Sequence, residues 1–572
     1  MHEHTVGGLH GRVPGSRHRR SRDTHRRNRR RCSCPGSLGS PFRCQSGEWR
    51  LLDRCRGSSH PQRRTCRTGA RIHDRLDAPE DAPRCSGRRF RSAVPSHECG
   101  GGFVGCGRPH DFRIVSSSSF DPPDEECADL LATAQSVARQ ATVGEQLEAF
   151  VGRSSYTTVR VHGAEVESFT AASTAGIGIR VVRDHRQGFA WAGSLDPDVI
   201  SDALDEARDN ATFAEPDEWV GMAEPDGVEP VPFEAFDTAI AALPADRKIE
   251  LALELERRVR AGDPRITGVR VATFSDSSGR FAVASSVGVA GAGRGAWCSM
   301  SALALAADGD ETYTGAGSTS GFHMEELDLD KATDDAVLRA TRLFGARPVP
   351  SQRLAVVFEP RLAATLVGLL GSTLTGDRVL RGRSPFADRV GDAIAVSGLT
   401  LVDDPTDHRS YAADMFDGEG LACRRNVLVD GGVLQGFLYD SATGRRAGRP
   451  STGSAVRGIS STPSVGCQAL SILPGAGSHD ELVAGVGTGI YVQSMTGLHS
   501  GVNLVSGDIS VGVEGLMIRN GQLAEPVREV TIASTLQRML LDISAIGDDL
   551  EWLPGGTGCP TIVVGEVSLS GT

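Results

Sequence analysis

The chain has 572 residues, 39% of them hydrophobic, and a formal net charge of −11. That length suits roughly two to four domains, each with a real core. No apolar run approaches the ~18 residues of a membrane helix and no signal-peptide core is visible, so neither membrane insertion nor secretion is expected.

The charge is divided unevenly. Residues 1–114 hold 25 Arg, no Lys and 10 acidic residues, whereas the remainder holds 36 basic and 62 acidic residues. The acidic body argues against nucleic-acid binding. Residues 1–114 show no sustained period. The run Arg26-Arg27-Asn28-Arg29-Arg30-Arg31 reads as a nucleic-acid arm, Cys32, Cys34 and Cys44 as metal ligands, or the whole stretch as a disordered tail. The preferred reading is a GC-rich frame translated from too early a start, with the natural start near residues 113–115. Cys127, Cys298, Cys423, Cys467 and Cys559, in the body, lack CxxC spacing, so reduced thiols in a cytosolic protein are expected.

From residue 120 the pattern becomes regular. Leu130, Leu131, Ala134, Val137 and Ala138 predict a helix over 125–140. Strands follow at 157–161, 165–170 and 177–182. A helix over 195–208 enters through Asp196-Pro197, with Asp196 as cap and Pro197 in the first turn. The order then repeats, with a helix at 247–260 and strands at 269–274, 280–287, 295–306 and 311–320. Two α/β layers, each a sheet covered by helices, are implied. Gly176-Ile177-Gly178-Ile179-Arg180 lacks the third glycine and the following helix of a nucleotide loop, so its glycines read as a tight strand connection. A helix over 330–343 precedes Pro348 and Pro350, which mark a domain boundary.

The second half opens with a strand at 354–358 and a helix from Pro360 to about 371. Asp430-Gly431-Gly432 turns a hairpin between 426–429 and 433–439. Asn520-Gly521 turns another. Leu536, Met539, Leu540, Ile543 and Ile546 share a helical face, capped by Ser534 or Thr535. Asp417 and Glu419 invite a paired-carboxylate hypothesis, with structural hydrogen bonding the favoured role. No GxSxG or P-loop occurs.

The stretch 497–549, with Ser506-Gly507-Asp508 and the run Asn520-Gly521 to Pro526-Val527 and Thr531-Ile532-Ala533, resembles the C-terminal domain of the TldD/PmbA family. Residues 167–207 resemble its N-terminal domain. The resemblance covers about 120–572 and implies an α/β (α+β) protein of two domains, 115–345 (central region about 215–345) and 350–572, with mixed sheets covered by helices. In the family's catalytic subunit the helix after Pro360 carries HExxxH, two histidines for zinc and a glutamate for its water. Counted back from Gly376-Asp377, those positions hold Val367, Gly368 and Ser372, so no catalytic or metal residue is expected here, and Cys559 falls off the family's cysteine position.

The implied function is a TldE/PmbA-type noncatalytic subunit that joins a TldD-like catalytic subunit, as a heterodimer or larger. Zinc is expected in the partner and no cofactor in this chain. The pair would cut unfolded protein or peptides in the cytoplasm, with no nucleic acid and no membrane involved. Gly497, His499, Ser500, Gly501 and Asn503 are the expected substrate-cleft residues. The alternatives are a stand-alone peptide-binding or assembly protein, and a hydrolase with an unrecognised site.

Overall fold

The computed structural model describes residues 122–572 and the backbone of two three-residue strands, Arg43–Gln45 and Glu48–Arg50. The readings made for 1–114 otherwise fall outside the described residues. Among the described residues no helix is long and apolar enough to cross a membrane.

Helix α1 (Glu125–Ala138) buries Cys127, Leu130, Leu131, Ala134, Val137 and Ala138, and Asp124 caps it by accepting the Cys127 N–H at 2.8 Å. Strands β1 (Glu145–His162), β2 (Glu165–Arg183) and β3 (Arg186–Ala192) follow, then α2 (Pro197–Phe213), with proline in its first turn. The order returns in α3 (Ala245–Ala261), β4 (Ile266–Ser285), β5 (Ala290–Asp308), β6 (Glu311–Gly321) and α4 (Leu329–Thr341).

The two expected sheets are one. β1 pairs antiparallel with β4, Glu148 opposite Ser285 through Val161 opposite Ala272, and the order is β3-β2-β1-β4-β5-β6. Pairing the two central strands removes an open edge from each half. The short strands expected at 157–161 and 177–182 are parts of strands 18 and 19 residues long. Leu147, Ala149, Val151, Val159 and Val161 alternate along one face of β1 and are buried there. Helices α1 and α2 cover that face in one half, α3 and α4 in the other.

Gly176 and Gly178 lie inside β2, not in a connection. The turn is Gly163-Ala164, with φ of 63° and 62°, and its N–H groups donate to Glu256 of α3 at 2.7 and 2.8 Å. The glycines admit a distant segment instead. A Cβ on Gly178 would lie 2.3 Å from the carbonyl oxygen of Ile459.

In the second half, β7 (Gln352–Phe358) leads into α5 (Pro360–Thr373). Strands β8 (Thr488–Thr496), β9 (Asp508–Arg519), β10 (Gln522–Thr535) and β11 (Ile562–Ser570) complete a ring. β8 pairs parallel with β7 and antiparallel with β9, β9 with β10, β10 with β11, and β11 with β7. Asn520 and Gly521 turn the β9–β10 hairpin with φ of 50° and 76°, as expected. Thr535 caps α6 (Leu536–Leu541), which is shorter than expected. Ile543 and Ile546 lie on a strand, Ile543–Ile546, paired to β11. A register shift between Ile543 and Ala545 lets both isoleucines be buried, mimicking a helical period. The hairpin at Asp430-Gly431-Gly432 forms, although its second arm is only Val433–Leu434.

Asp403 ends the short strand Leu401–Asp403 of a second, smaller sheet. Its Oδ1 accepts the N–H groups of Gln468 and Ala469, each at 2.9 Å, while the buried Oδ2 has no partner. Burial pushes the carboxyl up to about 7 from 3.8. The folded chain therefore keeps a proton that the unfolded chain releases, and stability falls as pH rises from about 4 to about 7. Asp403→Asn does not titrate. Its stability relative to the parent should rise by roughly 3–4 kcal/mol between about pH 4 and pH 8, read by urea unfolding at both. Parallel pH profiles for the two proteins would contradict this assignment.

Candidate functional site

Val367, Gly368 and Ser372, which the sequence resemblance sets at the motif positions, lie on α5. Val367 is 3% exposed and lines an apolar cavity of ≈ 40 Å³ with Phe358, Leu370, Ile472 and Met539. Gly368 faces outward, and a Cβ there would meet nothing within 4 Å. The Ser372 hydroxyl donates to the Leu369 carbonyl of its own helix at 2.7 Å. One position is hydrocarbon in a core, one has no side chain, and one has a hydroxyl engaged by the backbone. None presents a zinc ligand or a base for a bound water. Cys559 is fully buried, and burial pushes its thiol well above the usual range, away from the ligating thiolate.

Gly497, His499, Ser500, Gly501 and Asn503 come together in one surface turn, Leu498–Gly501 and the strand Val502–Asn503. Gly497 has φ 79°, and Gly501 sits where a Cβ would be 1.9 Å from the Ser510 carbonyl oxygen. Asn503 Oδ1 accepts the Val505 N–H at 3.0 Å, and His499 is exposed. None of the five lines either of the two cavities described in this subsection. The histidine that converges with carboxylates is His323. Its Nδ1 lies 3.3 Å from Asp237 Oδ2, and Glu325 completes a group whose ligand atoms lie within 4.8 Å. Asp237 also caps a helical turn, and His323 and Glu325 are exposed.

The larger cavity, ≈ 460 Å³, opens where the bare face of the sheet meets the second half of the chain. Strands β1, β4 and β5 give one wall, with Phe150, Arg153 and Trp297. The segments 411–414 and 458–459 give the other, with Tyr411, Asp414 and Ile459. Arg280 and Arg294, at its edge, are both held by Asp124 at 2.8 and 2.9 Å and stack over Phe236. Arg153 is exposed and has no ion pair among the described residues. A concave, aromatic wall with a few convergent polar groups is the usual form of a binding cleft.

Residues 147–211, 239–344 and 351–571 match the family profiles described as PmbA/TldA metallopeptidase domain 1, central domain and C-terminal domain. The chain belongs to the PmbA/TldD metallopeptidase family. It is 28% identical over 448 residues to Metalloprotease PmbA of Escherichia coli O157:H7, covering 77% of this chain and 96% of that one. It is 24% identical over 422 residues to the Metalloprotease TldD homolog of Haemophilus influenzae, covering 69% and 87%. The crystal structure of TldE from Thermococcus kodakarensis shares its fold, with TM-score 0.71 and 23% identity over 78% of this chain and 99% of that one.

In this PmbA/TldD chain a buried ionic cluster joins the sheet to the second half and so fixes one wall of the cleft. Arg180 of β2 donates to Glu148 of β1 at 3.1 and 2.8 Å, a bidentate pair. Arg457 donates to the same carboxylate and lies over the Phe150 ring. Glu419 is 3.5 Å from Arg180 and accepts the Ser441 N–H at 2.8 Å. Burial alone would push Glu148 up, yet Arg180 and Arg457 hold it below the usual range. Burial raises Glu419 despite Arg180. Asp417 accepts the N–H groups of Glu419, Leu421 and Ala455 at 2.9 to 3.0 Å. The favoured structural role of Asp417 and Glu419 matches this geometry. Both sit in a loop.

Proposed function

We propose that this chain is the metal-free, TldE-type subunit of a zinc peptidase, completing the substrate cleft of a TldD-type catalytic partner. One observation carries the reading. Val367, Gly368 and Ser372 stand where the resemblance puts the zinc ligands and the base, and none of their side chains can take those roles. Relatives named as metalloproteases, among them a TldD homolog, support a place beside a peptidase. The ≈ 460 Å³ cavity suits part of an extended peptide, whose side chains would meet Phe150, Trp297 and Tyr411. Arg153 would attract a carboxylate of such a peptide.

Co-expression with a TldD-like subunit carrying HExxxH tests it. The complex should bind zinc and cleave unfolded protein or peptides, and Trp297→Ala in this chain should raise KM for peptide without changing zinc content. A TldD-like subunit equally active with and without this chain would refute the subunit role.

A further inference from the structure

Aromatic residues make up 5% of the chain, yet six of the 21 residues lining the ≈ 460 Å³ cavity are aromatic, Phe150, Phe233, Phe281, Trp297, Phe322 and Tyr411. Most of the others are glycine, alanine or serine. Phe150 and Phe281 stack at 5.7 Å on the sheet, and Phe233, Phe322 and Tyr411 follow one another at 6.1 and 5.2 Å. Trp297 stands apart from both groups and is 36% exposed. Between Phe281 and Trp297 the floor is bare. Ser154, Gly279 and Gly295 stand opposite one another on β1, β4 and β5, and by strand alternation they share the side of the sheet that carries the two rings. Neither glycine has a positive φ. A Cβ on Gly295 would meet nothing within 4 Å, and one on Gly279 would make only ordinary contacts at 3.6 and 3.8 Å. Neither backbone conformation nor crowding within the chain calls for glycine at these two positions. Glycine inside a strand without such a cause marks the close approach of something else.

We propose that this floor is a slot for one aromatic side chain of the peptide, so that the chain selects segments carrying phenylalanine, tyrosine or tryptophan. The proposal rests on the cavity's role as a peptide site and names the class of peptide it takes. The dimensions suit a ring. Phe281 stands opposite Gly293, and Trp297 lies four residues further along β5, roughly 13 Å away. Aromatic pairs hold their centroids ~4.5–7 Å apart, so one ring fits between the two with a partner on each side. The glycine floor lets that ring lie against the backbone, and Tyr411 and Ile459 of the second half form the facing wall. Charge separates an aromatic occupant from a cationic one. Aromatic walls also attract cations, but Arg153 lines the cavity without an ion pair among the described residues and opposes one. Asp414, which also lines it, is engaged by the N–H groups of Met415 and Phe416 at 2.7 and 3.4 Å.

Isothermal titration of the full chain, with no partner added, tests it against a doubly blocked alanine pentapeptide whose central residue is phenylalanine, leucine, lysine or alanine. The phenylalanine peptide should bind roughly 10- to 100-fold tighter than the alanine peptide through burial of its ring, with leucine between them and lysine no tighter than alanine. Gly295→Leu has room at its Cβ, so it should fold, as far-UV circular dichroism would show. Its side chain fills the slot, and phenylalanine should then bind no better than alanine. Equal binding of the phenylalanine and alanine peptides to the parent chain would overturn the slot, as would tightest binding of lysine or a phenylalanine preference that survives Gly295→Leu. The subunit role is read separately, from cleavage. A flat peptide series beside normal cleavage by the pair would refute the slot alone, and a phenylalanine preference beside a partner that ignores this chain would refute the subunit role alone.

Discussion

Arg180→Met should destabilise the folded chain by about 3–5 kcal/mol, because it leaves buried carboxylates without their counter-charge. Arg180 is 3% exposed and serves two carboxylates from different parts of the fold. Without it, Glu148 keeps only Arg457, and Glu419 loses its nearest cation. Glu419 already sits above its usual range through burial, and losing Arg180 raises it further. The variant's folded state therefore holds a proton that its unfolded state gives up above about 4.5, and the deficit grows as pH rises past that value. Urea unfolding should show a smaller loss at about pH 5 than at about pH 8. Arg381→Met breaks an ion pair of similar length, 2.6 Å to Asp377, but both partners are exposed. Its cost should stay within about 0.5 kcal/mol. Equal costs for the two variants would show that the buried cluster does not tie the halves together.

Gly178→Val should cost about 3 kcal/mol or more by overpacking and should spring the cleft wall. The added Cβ would lie 2.3 Å from the Ile459 carbonyl oxygen, a backbone atom that cannot rotate away. The 457–461 segment must lift, and with it Ile459 and Gly458, which line the cavity. Hydrogen exchange should quicken at residues 455–461 before it changes in α1 or α2. Gly368→Val, on the open side of α5, meets nothing within 4 Å and should be nearly silent. A stable Gly178→Val protein with unchanged exchange at Ile459 would refute the close approach.

Local signals were readable in proportion to how local the physics is. The apolar spacing of α1, the proline in the first turn of α2 and the Asn520-Gly521 turn need only neighbouring residues, and each formed where expected, although Asp196 accepts the Ser194 hydroxyl and makes no cap hydrogen bond. The repeat of helix, strands and helix was also visible. Its assembly into one sheet was not, because β1 meets β4 across more than a hundred residues that carry no matching signal. That Val367 and Gly368 carry no ligand atom is a matter of residue identity, while their place at the motif positions rests on the resemblance. The cleft was not legible. Arg153, Trp297 and Tyr411 come from three distant segments, and the stretch the resemblance offered for a substrate cleft, 497–503, forms an exposed turn. The ionic cluster was hidden for the same reason, with Arg180 32 positions and Arg457 309 positions from Glu148.

The most direct test is zinc analysis, with peptide cleavage, on this chain purified alone and then together with a TldD-like HExxxH subunit. Alone, it should carry no stoichiometric zinc and cut nothing, while the pair should hold zinc in the partner and cleave. One chelator-resistant zinc per isolated chain, lost on changing residues between Ala364 and Asp377, would contradict the account.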